Sequence, residues 1–340
     1  MFRSLVIVCS AWILMAASCD KDKTPAPAIA PTNLVLVTTV STDNSGTVQF
    51  KATATNAVSY DFDLGNGVFR TAADGNLTYR YTASGSYDVN VIAKSTGGQT
   101  TSLRKTITVA VARSLVWSDE FETPGAPDPA KWGFDIGAGG WGNAELQYYT
   151  NRLANASISN GTLKITTIRE SFSGSSFTSA RLLSRDKFSF TYGRVDVRAT
   201  LPVGAGTWPA IWMLGNNIGT VGWPACGEID IMEHRGNDPN RIHGGVHYTG
   251  NSGAGGIGGT VLSTNVSTVF RVYSIEWTDQ FIKFMVDDAV YFTFPNATTL
   301  PFNLSFFLLL NVAMGGHFGG AVDPAFSSSI MEIDYVRVYN

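Results

Sequence analysis

The chain has 340 residues, of which 15% are charged, and a formal net charge of -3. At roughly 100–200 residues per domain there is room for two domains. The absence of a Lys/Arg surplus excludes a phosphate-neutralising surface, so no nucleic-acid partner is expected. Hydrophobic residues at 44%, with 8 Trp, 12 Tyr, 20 Phe and 35 Gly, argue against disorder and for an all-β protein rich in turns.

Residues 1–19, MFRSLVIVCSAWILMAASC, place Arg3 before an apolar run from Leu5 to Met15, followed by Ala16, Ala17, Ser18 and Cys19. That order of charged, apolar and small residues is a secretory signal. The run is shorter than the roughly 20 apolar residues of a spanning helix. Cys19 after the small residues resembles a bacterial lipobox, with Ala16 where that pattern prefers Leu. The resemblance implies lipidation at Cys19 and an exported protein at the outer membrane or cell surface, touching the membrane only through its lipid anchor. The other reading is plain secretion with a free thiol. Cys9 lies in the signal, so Cys226 is the thiol left for the folded chain, which cannot form an internal disulfide and depends on packing. Residues 20–32, DKDKTPAPAIAPT, read as an extended Pro/Ala-rich tether.

Residues 33–111 alternate short apolar runs with turn residues: LVLVTTV (34–40), TVQFKATAT (47–55), YDVNVIAK (87–94) and KTITVAV (105–111). Such spacing predicts a small β-sandwich. YDFDLGNG (60–67) and YRYTASGSYDVNVIA (79–93) resemble the PKD domain, an immunoglobulin-like module, with Asn66 where its turn usually carries Asp. No catalytic constellation is visible here, and the module reads as a spacer or an auxiliary binding unit.

Residues 112–340 contain seven of the eight Trp and strand-like runs at 162–168, 193–201, 270–277, 281–294, 304–314 and 331–339. Asp287-Asp288 between FIKFMV and AVYFTF is a tight-turn signal. No helical period persists over a dozen residues, and the length suits a large two-sheet jelly roll.

The chemistry concentrates in WPACGEIDIMEHRG (223–236), which carries Glu228, Asp230 and Glu233. On a regular strand Glu228 and Asp230 share a face and Glu233 points the other way. One β-bulge at Ile231–Met232 reverses the phase and brings Glu233 onto the same face. Clustered like charges force at least one carboxyl to keep its proton. A structural strand gains nothing from that, whereas a hydrolytic site uses an ionised nucleophile beside a protonated acid. Two carboxyls about 5–5.5 Å apart mark a retaining glycosidase. A solvent-facing acidic strand or a calcium site is the alternative.

VWSDEF (116–121), KWGFDIGAGGWGNAELQYYT (131–150), YGRVDVRATLPVGAGTWPAIWML (192–214), the acidic stretch, LLNVAMGG (309–316) and DYVRVY (334–339) together resemble glycoside hydrolase family 16, in its laminarinase-like branch. The resemblance implies Glu228 as nucleophile, Glu233 as general acid/base and Asp230 as the residue tuning the nucleophile. It also implies that Met232 is the inserted residue that gives this form its bulge. No cofactor for catalysis follows.

Trp208 and Trp212, four apart on one strand, face the same way; the resemblance implies that they line a groove and stack on sugars. It extends the substrate-binding set to Trp141, Asn143, Trp223, Arg181 and His247, and implies one structural calcium at Glu120, Gly161 and Asp334. Glu145 reads as either binding or structural. The pair His243 and His247 would span about 13 Å on a strand, too far for one zinc. NSGAGGIGG (251–259) lacks the Lys-Ser/Thr of a phosphate loop and reads as a flexible rim. The expectation is thus a monomeric, retaining endo-hydrolase of β-1,3-glucan. Its rivals are a family 16 hydrolase of mixed-linkage glucan or of a galactan such as agarose, and a non-catalytic glycan-binding jelly roll.

Overall fold

The computed structural model describes residues 29–340; the expected signal at 1–19 with Cys9 and Cys19, and most of the expected tether at 20–32, lie outside the described residues. Contacts divide the chain after Ala112 into two compact units.

In the first unit, strands Thr32–Val40, Thr47–Thr55 and Asn76–Arg80 form one sheet, and Phe69–Ala72, Ser59–Asp63, Gly85–Lys94 and Thr100–Val109 a second. Alternate residues of both, including Val48, Phe50, Phe62, Val89 and Val91, make the buried centre. The buried Tyr81 hydroxyl donates to the Leu64 carbonyl oxygen at 2.9 Å. In the turn, Asn66 accepts from the Val68 N–H at 3.3 Å and donates to the Tyr79 hydroxyl at 3.0 Å, so the amide serves where a carboxylate was expected.

The second unit stacks two sheets. One has seven strands in the order Ile257–Leu262, Arg241–His247, Glu228–His234, Thr207–Gly215, Phe306–Met314, Arg181–Leu183 and Gly133–Asp135. The other has ten, with Thr162–Phe172, Ser328–Tyr339, Gly193–Thr200, Arg271–Trp277 and Phe281–Val286 at its centre. Alternation decides which side chains lie between them. Ile211, Met213, Ile229, Leu308, Leu310 and Val312 from the first sheet meet Ile165, Val195, Val197, Ile275, Phe284 and Ile333 from the second in one core. The side chains between those of the first sheet therefore face away from the core, where the groove lies. This is the jelly-roll sandwich expected of the sequence.

Val286 pairs with Ala289 across the two-residue turn, and Asp287 and Asp288 both adopt positive φ, 48° and 65°, as a primed hairpin turn requires. Among the described residues, α-helix is confined to the single turns Ile218–Val221 and Gly316–Gly319. The run 251–259 is less of a loop than expected, because its last three residues belong to the edge strand Ile257–Leu262, paired with Arg241–His247.

Met232 is fully buried and Leu262 is 68% exposed. Met232→Ala is expected to cost this unit roughly 2–5 kcal/mol, whereas Leu262→Ala should stay within about 0.5 kcal/mol. Chemical denaturation of both variants, followed by tryptophan fluorescence, checks the contrast.

Candidate active site

The acidic strand Glu228–His234 lies between Thr207–Gly215 and Arg241–His247. Ile211 faces Met232 while Trp212 faces Asp230, so Ile231 has no partner on that side. On the other side Asp230 faces Gly245 and Glu233 faces His243, leaving Ile231 and Met232 opposite Gly244. The Ile231 and Met232 side chains both enter the core. The phase reverses, and Glu233 joins Glu228 and Asp230 among the groove-lining residues. Gly244 is required by close approach: a Cβ there would sit 2.3 Å from the Tyr291 hydroxyl and 3.1 Å from the Asp230 carbonyl oxygen.

Each outer carboxylate has an indole donor. Trp223 Nε1 donates to Glu228 Oε2 at 2.9 Å, and Trp208 Nε1 donates to Glu233 Oε1 at 2.9 Å. His247 Nε2 lies 3.1 Å from Asp230 Oδ2 and 3.9 Å from Glu228 Oε1. Burial, reinforced by repulsion from Asp230, raises the Glu228 carboxyl well above its ordinary value, against the pull of His247 and Trp223. Burial and then Glu233 raise Asp230, which is within hydrogen-bonding reach of Glu228. Burial raises Glu233 too, opposed by the Trp208 hydrogen bond. The three titrate as a unit, which can hold an ionised carboxylate and a protonated one side by side at neutral pH.

The groove encloses about 860 Å³. In its floor the Arg181 guanidinium sits between two indoles, 5.0 Å from the Trp141 ring and 4.7 Å from that of Trp212, with Nε 3.0 Å from Asp135 Oδ2. The alternatives of groove residue and ion pair are therefore both realised. Trp212 is only 9% exposed and donates to Asn311 Oδ1 at 2.7 Å. Its ring lines the groove with the Arg181 guanidinium over it. Trp223, 49% exposed, and Trp208, beside Phe318 at 5.3 Å, keep accessible edges of the groove. Asn143 lines it and donates to Glu145 Oε1 at 3.2 Å. Glu145 also accepts from Gln147 Nε2 at 2.6 Å and from the Tyr149 hydroxyl at 3.1 Å, so it braces the Trp141–Asn143 turn from beneath. Gly256 closes over His247: a Cβ there would lie 2.3 Å from the imidazole Cε1.

Sequence reasoning missed His243, Asn311, His317 and Phe318, all groove-lining. For His243 a signal existed, since residues four apart on a strand share a face with His247; the pair stands opposite Glu233 and Glu228. Nothing local marks the others.

Two of the residues expected at a calcium site carry ion pairs. Arg337 Nη2 holds Glu120 Oε2 at 2.8 Å, and Arg198 Nη1 holds Asp334 Oδ2 at 2.5 Å. Gly161 occupies the turn between strands Ala156–Ser159 and Thr162–Phe172. These guanidinium contacts engage the side chains, so a calcium ion held by this set would draw mainly on backbone oxygens.

A two-sheet jelly roll with a buried carboxyl triad across an aromatic groove defines a carbohydrate-cleaving architecture. Comparison with known proteins agrees. The profile of glycosyl hydrolases family 16 matches residues 143–337, and that of the PKD domain matches residues 24–111. A beta-glucanase of Rhodothermus marinus is 47% identical over 241 residues, 66% of this chain and 84% of its own. Glucan endo-1,3-beta-glucosidase A1 of Niallia circulans is 36% identical over 257 residues, 66% of this chain and 38% of its own. The X-ray structure of the laminarinase from Rhodothermus marinus superposes with a TM-score of 0.65 at 48% identity, covering 67% of this chain and 98% of that one. The chain belongs to glycoside hydrolase family 16.

Raised carboxyls favour the protonated folded state. Their contribution to stability is full below the unfolded glutamate value of about 4.3 and is lost as pH rises through the folded values. Glu228→Gln, which removes one of the repelling charges, is therefore expected to raise Tm by several degrees near neutral pH and to change it little near pH 4. Scanning calorimetry at both pH values reads this; equal melting of variant and parent at neutral pH contradicts the raised value.

Proposed function

We propose that this protein hydrolyses β-1,3-glucan of the laminarin type at internal bonds with retention of configuration, Glu228 being the nucleophile and Glu233 the general acid/base. The observation that carries this reading is the bulged strand, which sets Glu228, Asp230 and Glu233 on one buried face of the groove. Glu228 attacks the anomeric carbon while protonated Glu233 gives its proton to the departing glycosidic oxygen. A glycosyl ester on Glu228 results, and Glu233, now a base, takes a proton from the water that cleaves it. The Trp223 hydrogen bond stabilises Glu228 as the anion, and a protonated Asp230 within reach can donate to the same carboxylate. Trp208 fixes the orientation of Glu233. This chemistry needs no cofactor.

The surrounding residues supply binding. The Trp208, Trp223 and Trp141 rings suit the C–H faces of glucose units, and Asn143 and Arg181 offer hydrogen-bond donors to hydroxyls. Trp212 acts through Arg181, and His247 through Asp230. The proposal extends to location: residues 1–19 support export and a lipid on Cys19, which would place a monomeric catalytic unit at a cell surface, reached by polymers too large to be imported.

The test is digestion of laminarin, lichenan, agarose and carrageenan by the full chain, following reducing ends, product sizes and the anomer first released. Mixed-length β-anomeric oligosaccharides from laminarin are expected. Preference for lichenan would transfer the assignment to mixed-linkage glucan. Products from none of the four would favour the binding jelly roll. Glu228→Ser is expected to lower kcat by about 10³-fold or more with circular dichroism unchanged; residual hydrolysis near the parent level overturns the nucleophile.

A further inference from the structure

Glu228, Asp230 and His247 each turn one ligating atom into the same corner of the groove, all within 4.8 Å of one another. We infer that this corner binds a divalent transition-metal ion of the zinc class, and that the bound ion and the hydrolytic reaction exclude each other.

The distances suit such an ion. Ligand atoms on a tetrahedral zinc at about 2.0–2.1 Å stand about 3.3 Å apart, and the separations from His247 Nε2 are 3.1 Å to Asp230 Oδ2 and 3.9 Å to Glu228 Oε1. They bracket the required value, and all three ligand atoms lie within 4.8 Å of one another. All three residues line the groove, so water has access to the corner they share.

A second observation concerns the middle carboxyl. Asp230 is 4% exposed, its Oδ2 receives no hydrogen bond, and the groups beside it, His247 Nε2 at 3.1 Å and Glu228 within hydrogen-bonding reach, are the other two members of the set. A cation in place of the proton that Glu228 and Asp230 would otherwise share meets the same electrostatic demand and relieves their repulsion. The imidazole itself is confined by Gly256, so little side-chain freedom is lost on ligation.

The donor chemistry selects the class of ion. One imidazole nitrogen with two carboxylates suits zinc or copper. Calcium asks for six to eight oxygens, which three side chains at a groove wall do not supply. His243 takes no part, because it faces Glu233 one residue pair beyond the bulge. A metal on Glu228 Oε1 occupies the oxygen set proposed for attack. That blockade rests on the proposed role of Glu228, whereas the binding itself does not.

Isothermal titration of the full chain with zinc chloride and, separately, calcium chloride tests the binding. One zinc per chain and no calcium heat are expected, and laminarin hydrolysis should fall as zinc saturates and return with EDTA. His247→Gln should weaken zinc binding at least about tenfold, since even outer-shell losses cost that much, while His317→Gln, elsewhere in the groove, should bind as the parent does. Absence of zinc binding, or unchanged affinity in His247→Gln, overturns the site; if that variant fails to fold, Asp230→Asn is read in its place. Zinc binding that leaves hydrolysis intact overturns the exclusion. Failure of the functional reading shows separately, as no hydrolysis before any metal is added.

Discussion

Mutual repulsion among three carboxyl groups on one buried face is the constraint around which the second unit is organised. Removing even one such charge from water costs several kcal/mol unless it is paired or neutralised. The molecule meets that demand locally, with an indole N–H on each outer carboxylate and an imidazole beside the middle one. It also meets it globally, because the opposite face of the same strand sinks Ile229, Ile231 and Met232 into the core between the sheets. Hydrophobic anchorage on one side holds an electrostatically unfavourable arrangement in place on the other.

The groove floor repeats this logic with hydrogen bonds. Glu145 gathers donors from Asn143, Gln147 and Tyr149. Asn311 then donates to the Tyr149 hydroxyl at 3.0 Å and accepts from Trp212. Trp212 lies beneath Arg181, whose other side meets Trp141. The turn that presents Trp141 and Asn143 is thereby tied to the central strands, although it has little regular structure of its own. A connected network of this kind holds the groove-facing donors in fixed orientations, so a substrate would not have to organise them.

What the sequence could reveal was what depends on neighbours in the chain. The alternation and the Asp287-Asp288 turn marked the hairpin, and the spacing of Glu228, Asp230 and Glu233 demanded a bulge at the place where Ile231 and Met232 share one opposing residue. The common face of Trp208 and Trp212 followed from period two, but their different fates did not: Trp212 is covered by Arg181 from a strand two places away in the sheet. Asn311 and Phe318 reach the groove from the far end of the chain, and no local pattern distinguishes them from core or turn residues. The arginines that engage Glu120 and Asp334 are likewise brought there by sheet pairing. Resemblance named those acidic residues without showing that Arg337 and Arg198 stand beside them.

The bulge also decides what a change of strand length would cost. Neither neighbour has a residue to match the extra one: Ile211 and Trp212 pair with Met232 and Asp230, and Gly244 alone stands opposite Ile231 and Met232. Loss of one of these two residues would therefore restore regular pairing on both sides and leave the Glu233 carboxyl on the groove face by simple alternation. The cost would fall on the other face, where the core would give up one of two buried side chains. A regular and a bulged strand can thus present the same acids, and what must be inherited with the strand is the packing beneath it.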